Sequence, residues 1–295
     1  MASLLGHCGH LAAVYLSETT RIVAQRADAI VMTDEQTQLE LIPPSVLRVE
    51  DDYGPVGAGV SNAHCVMAEN GQEYIVKGPC FAPNHPHVAA NEYVAARLAN
   101  AIGLPILDFR ILEMGGDLVF AAGWMNKGTF CPQTTRELFA KCQNRDRVYD
   151  LVVFDCWINN TDRHHENLLV REIRPRGASG SIYTLLCNDH SHCLVLPNEQ
   201  ATELTGRLDA APHPGLAFVS EAITESARLA EALDRAARVP DDTIKAAFRE
   251  MPASFLPSPQ DGQLMCQYLV ERRDRLADIF RAHRATFNRL DGGTL

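Results

Sequence analysis

The rhythm of hydrophobic and polar positions changes along the chain. From Ser45 the apolar residues fall in short runs, 46–49, 63–68 and 72–77, separated by glycines and polar residues, which is the pattern of β-strands. Asn70-Gly71, between the second and third runs, predicts a two-residue hairpin, because both residue types tolerate positive φ. After Pro86, Val88, Tyr93, Val94, Leu98 and Ile102 recur at helical spacing, and Gly103 supplies the stop. Runs 106–112 and 118–124 predict two further strands of the same sheet. Beyond Asn126 the pattern is mainly helical, broken by a polar loop at 159–167 and by apolar runs at 167–170 and 182–187. Ser258-Pro259 is a good N-cap and N1 pair for a last helix, expected to run to Asp291 before Gly292-Gly293. Residues 1–44 show no readable period and are expected to be an appendage ahead of the first strand.

The sequence therefore predicts an α+β fold, with a strand-rich part at 45–125 holding one helix and a helical part at 126–295. At 46% hydrophobic and 22% charged residues, the 295-residue chain has enough apolar surface to offset the entropy of ordering it. A net charge of −10 argues against a general nucleic-acid binder, since affinity for a phosphate backbone needs concentrated Lys and Arg. The nine cysteines are scattered singly with no CxxC pair, which predicts reduced thiols and a reducing compartment. No run approaches the roughly 18 apolar residues of a membrane span, and the start lacks a basic leader segment, so a cytoplasmic protein without membrane contact is expected. In that setting the sequon Asn159-Asn160-Thr161 is a chance match.

The most informative stretch runs from Val153 to Val170, where an apolar helix gives way to a string of polar residues and then to an apolar strand. A carboxylate, Asp162, is followed five residues later by the amide Asn167 at the mouth of that strand, and a second carboxylate, Asp189, follows the next apolar run. Phosphoryl transfer needs a group that orients and deprotonates the attacking hydroxyl, together with hard oxygen ligands for a magnesium ion. Asp162 suits the first task, and Asn167 with Asp189 suits the second.

These residues resemble a known family, the HipA-like kinases. The string NTDRHHENLLV is similar to that family's catalytic loop, NDHSHCL to its metal-binding segment, EYIVKG to the strand bearing the nucleotide lysine, and ANEYVAARLANAIGLPI to the helix and strand that follow. The resemblance spans about 45–195 and implies a two-lobed protein-kinase-like fold, with an antiparallel N-lobe sheet carrying one helix and a mainly helical C-lobe. It implies that Asp162 is the catalytic aspartate, supported by Arg163 and His164, and that Asn167 and Asp189 hold Mg2+. Lys77 would contact the α- and β-phosphates of ATP, with Glu92 as its ion-pair partner. Gly57, Gly59 and Ser61 would form the loop over the phosphates, and the backbone near Trp124 and Met125 would receive the adenine. The implied activity is ATP-dependent transfer to Ser/Thr of a protein substrate, with an antitoxin-like partner as in some relatives.

Other readings stay open at this point. The acceptor could be a lipid or small-molecule hydroxyl, or the fold could be a nucleotide-binding scaffold without transfer. His164, His165, Cys187, His190, His192 and Cys193 could instead be read as a zinc cluster, although they lack CxxC or HxxxH spacing and would leave the carboxylates without a purpose.

Overall fold

Alternation along the short runs builds a small barrel. In the computed structural model, which describes residues 46–57, 59–123, 134–174 and 180–295 together with the backbone of 130–131, five strands form in the first part of the chain. They are β1 (Leu47–Pro55), β2 (His64–Ala68), β3 (Glu73–Lys77), β4 (Phe109–Met114) and β5 (Asp117–Gly123). Val66, Tyr74, Val76, Leu112 and Val119 alternate inward from them and fill the interior. The expectations for 1–44, Trp124 and Met125 lie outside the described residues.

The expected antiparallel sheet is corrected in one respect. The five strands close on themselves in the order β1-β2-β3-β5-β4, and the closing contact is a parallel pairing of Leu47 and Arg48 with Leu112 and Glu113. Closure is possible because β1 is longer than the run 46–49 that announced it. Register shifts between Val49 and Asp51 and between Asp52 and Gly54 bend it, so that one end pairs with β2 and the other reaches β4.

The hairpin between β2 and β3 forms where expected but with different geometry. Gly71 alone takes positive φ, at 71°, while the Gly71 N–H donates to Ala68 O at 2.8 Å and the Ala68 N–H to Gln72 O at 3.0 Å. This is a three-residue loop with glycine at the left-handed position rather than a two-residue turn. The run 106–112 is also corrected, since β4 begins only at Phe109. Pro105 O accepts from Cys187 N at 2.8 Å and Ile106 bridges Cys187, which draws this part of the chain toward the second sheet.

Helix α1 (Val88–Ala101) is buried on nearly every side, so it belongs to the interior rather than to the surface. The helical part comprises α2 (Arg136–Lys141), α3 (Val148–Trp157), α4 (Ala217–Ala222), α5 (Ser226–Ala237), α6 (Asp241–Arg249) and α7 (Pro259–Ala282). A small antiparallel sheet of β6 (Phe130–Cys131), β7 (Leu168–Ile173) and β8 (Ile182–Cys187) accompanies them. Every residue of α3 is buried, and Trp157 fixes it to α7 by donating from Nε1 to Leu269 O at 2.8 Å. Helix α7 starts as read, with Ser258 Oγ accepting from Asp261 N at 3.3 Å and Pro259 in the first turn. It ends at Ala282 rather than Asp291, because the chain turns back to stack Phe287 on Phe280 at 5.7 Å. Among the described residues no helix is long and apolar enough to cross a membrane.

Gly71→Ala should lower stability by about 1 kcal/mol, because a Cβ is disfavoured at this φ while open space surrounds it. The urea-unfolding midpoint should fall with the slope unchanged.

Candidate active site

The loop that carries Asp162 is shaped by the way α3 ends. Asn159 adopts φ 53°, the Asn160 N–H donates to Asp155 O at 2.8 Å, and the Asn159 N–H donates to Cys156 O at 3.2 Å. These two bonds are the paired C-terminal cap of a helix that stops on a left-handed residue, here asparagine in place of glycine. The Asn160 side chain then donates to Asp155 Oδ1 at 3.0 Å and accepts from Asp162 N at 3.1 Å, so the cap delivers the loop directly to Asp162.

Arg163 points away from Asp162 and is fully buried. Its guanidinium grips Asp155 with two bonds, Nε to Oδ2 at 3.0 Å and Nη2 to Oδ1 at 2.8 Å, and Nη1 donates to Asn167 O and Asn188 O at 2.6 Å each. Burial acts against its charge, but the Asp155 carboxylate outweighs that and keeps it firmly protonated. Asp155 carried no assignment in the sequence; a carboxylate in the apolar second half of the helix was the available signal. Gly215, at φ 69°, packs so tightly on the Arg163 carbonyl that a Cβ would collide with it.

Lys77 and Glu92 meet as expected, with Nζ 2.6 Å from Glu92 Oε1, and the same ammonium lies 2.7 Å from Asp189 Oδ1. Burial alone would lower the lysine pKa, but the two carboxylates reverse the effect and raise it. Asp189 shows the converse. Burial would raise it, yet the Lys77 ammonium and donors from Ser191 N at 3.1 Å and Ser191 Oγ at 2.6 Å hold it well below the ordinary carboxylate range. Asp189 also takes φ 55°, an uncommon conformation for a non-glycine residue, held by these contacts on its side chain.

The segment after Asp189 is fastened to α1. Asn91 Nδ2 lies 2.9, 2.7 and 2.8 Å from the carbonyl oxygens of Ser191, Cys193 and Val195, its two hydrogens shared among three acceptors. The His190 N–H donates to Glu92 Oε1 at 3.1 Å, and His85 Nε2 donates to Ser191 O at 2.7 Å. Burial pushes His85 down to about 4, so it is neutral at ordinary pH. None of Asn91, His85 and Ser191 was singled out from the sequence, because their partners lie about a hundred residues away.

Asp162 and Asn167 are joined by Asn167 Nδ2, which donates to Asp162 O at 2.8 Å and approaches Oδ2 at 3.4 Å. His192 Nδ1 stands 3.5 Å and His164 Nε2 3.7 Å from the same Oδ2. Ser191 Oγ lies 3.2 Å from His192 Nδ1, so a continuous chain of polar contacts runs from Lys77 through Asp189, Ser191 and His192 to Asp162 and Asn167. Gly57, Gly59 and Ser61 lie in the β1–β2 connection, where Val56 N donates to Ala63 O at 2.7 Å and Asn62 N to Gly59 O at 3.0 Å. Among the described residues no hydrogen bond links Gly57, Gly59 or Ser61 to Lys77 or Asp189. Nor, among the described residues, do three or more His, Cys, Asp or Glu side chains gather in a metal-binding group.

Residues 53–175 match the family model for the HipA-like kinase. The matched segment contains Lys77, Glu92, Asp162 and Asn167, while Asp189 lies beyond it. Among solved structures the chain is similar to the Helicobacter pylori proinflammatory kinase CtkA, at 17% identity and a TM-score of 0.57 over 82% of this chain and 98% of that one, which shows a shared fold. It is also similar to HipA of the Shewanella oneidensis MR-1 toxin–antitoxin system, in complex with HipB and operator DNA, at 16% identity and a TM-score of 0.47 over 85% and 76%. A Golgi casein kinase with Mn/ADP bound is matched at 12% identity and a TM-score of 0.41 over 80% and 73%. No curated protein matches.

Arg163→Met should cost about 3–5 kcal/mol by stranding the buried Asp155 carboxylate, and adding Asp155→Leu should recover part of the loss in urea unfolding. A depressed carboxyl contributes stability above its ordinary pKa of 3.8, which is lost as pH falls through the folded value. Stability measured between pH 5 and pH 2 should therefore fall less steeply for Asp189→Asn than for the wild type. Lys77, raised above 10.5, acts in the opposite limb, its contribution being present below that pH and lost as pH rises further.

Proposed function

We propose that the chain is an ATP- and magnesium-dependent phosphotransferase whose acceptor is a Ser or Thr hydroxyl of a protein, working in the cytoplasm. In this reading the barrel and α1 form the nucleotide lobe, residues from about 126 onward form the acceptor lobe, and the cleft lies between them. The observation that carries it is the single run of polar contacts that brings the Lys77–Glu92–Asp189 ion pairs and the Asp162–Asn167 pair to one place. A structural salt bridge alone would not account for a second carboxylate and an amide held beside it with oxygens to spare.

The donor set suits a hard divalent ion. Asn167 spends its amide nitrogen on Asp162, which leaves its oxygen for a ligand, and Asp189 uses Oδ1 for Lys77 and Ser191, which leaves Oδ2. When bound there, magnesium would supply positive charge against the phosphates. Lys77 holds its ammonium in place through Glu92, so that it meets the phosphates without first reorganising. Asp162, 43% exposed, is the carboxylate positioned to orient the acceptor hydroxyl and take its proton. Phosphoryl transfer demands little beyond such positioning and charge.

Asp162→Ala and Asp189→Ala should each lower magnesium-dependent ATP turnover by about 100-fold or more. Asp162→Ala should still bind ATP with near wild-type affinity by calorimetry. Turnover unchanged in both variants would remove the enzymatic reading and leave a nucleotide-binding scaffold.

A further inference from the structure

Three nitrogens face one oxygen of Asp162. Asn167 Nδ2, His192 Nδ1 and His164 Nε2 stand 3.4, 3.5 and 3.7 Å from Oδ2, and among the described residues none donates to Oδ1. The two carboxylate oxygens are therefore unequal: Oδ2 has three nitrogens around it, and among the described residues Oδ1 accepts no hydrogen bond.

The His192 contact differs from the others in how its proton is assigned. Ser191 Oγ carries one hydrogen and gives it to Asp189 Oδ1 at 2.6 Å, so toward His192 Nδ1, 3.2 Å away, it can only accept. Nδ1 therefore bears the hydrogen, which is directed to Ser191 Oγ, with Asp162 Oδ2 standing 3.5 Å from the same nitrogen. The backbone around His192 is held on two sides, because its carbonyl accepts from Thr161 N at 3.4 Å and the flanking Ser191 and Cys193 carbonyls accept from Asn91. The backbone that carries the ring is thus set by α1 and the catalytic loop together. Distances of this length in a protein without substrate are those that shorten when the reacting groups arrive.

We infer that His192 is a positioning residue for phosphoryl transfer: its Nδ1–H anchors Oδ2 of Asp162 and relays the placement of Asp189, through Ser191, to the proton-accepting carboxylate. Oδ1 is then the oxygen that meets the acceptor hydroxyl. The inference rests on Asp162 being the proton acceptor.

The test compares His192→Asn, His192→Gln and His192→Leu in the full chain, reading kcat and KM for ATP from magnesium-dependent phosphate release. An Asn amide places a donor where Nδ1 stands, whereas a Gln amide reaches past it and Leu offers none. His192→Asn should keep kcat within about threefold of the wild type, while His192→Gln and His192→Leu should lose about tenfold or more with KM for ATP within about twofold. Thermal melting of each variant separates this from unfolding. Equal kcat in all three variants, whether high or low, would overturn the inference. Asp162→Ala, assayed beside them, keeps the two readings apart. An inactive Asp162→Ala with an unimpaired His192→Leu removes only the role of His192, whereas an active Asp162→Ala removes both.

Discussion

The buried guanidinium of Arg163 is the contact on which the site depends. Its four hydrogen bonds end on Asp155 in α3, on the carbonyl of Asn167 and on the carbonyl of Asn188. Two of these end points are a site residue, Asn167, and the neighbour of another, Asn188 before Asp189, while Arg163 itself follows Asp162. A single planar cation therefore sets the relative positions of Asp162 and Asn167, from the loop before β7, and Asp189, from the segment after β8. Burying a charge is costly, and it is tolerated here because a two-pronged carboxylate and two carbonyls satisfy most of its donors. Lysine could not replace it, having neither the fork nor the reach to bind three segments at once.

A second organising element is the pair of adjacent residues Asn91 and Glu92 on α1. Glu92 holds Lys77 of the barrel and the backbone of His190, while Asn91 holds the carbonyls of Ser191, Cys193 and Val195. The same helix turn thus fixes the cation of the barrel and the segment that follows Asp189. Tyr93 continues the attachment by donating to Glu250 O at 3.3 Å, and His87 lies 3.0 Å from Asp261 at the start of α7.

Much of this was legible in the sequence, for definable reasons. Local signals worked where a local interaction decides the outcome: the alternating strands β2 and β3, the glycine stop after α1, and the Ser258-Pro259 start of α7. Closure of the barrel was not legible, because it depends on the register between β1 and β4, some sixty residues apart, and on bulges that periodicity does not announce. The end of α7 was overestimated because the stacking of Phe287 on Phe280, rather than any breaker residue, turns the chain. At the site, the charged residues could be read from spacing and resemblance, since their chemistry is distinctive. Their supports could not, because Asp155, Asn91, Ser191 and His192 act through partners chosen by the fold.

Barrel closure bears on how other molecules can approach this part of the protein. A strand with an unpaired row of N–H and C=O groups is a ready template for a peptide that adds itself to a sheet. Here the five strands close into a ring, but β1 and β4 pair only through Leu47–Leu112 and Arg48–Glu113, so among the described residues the β1 backbone beyond Arg48 is paired on its β2 side alone. A polypeptide that extends this sheet through backbone hydrogen bonds must therefore do so at the seam between β1 and β4, beside the exposed Tyr53, whereas elsewhere around the barrel it meets strands already paired and must recognise outward side chains.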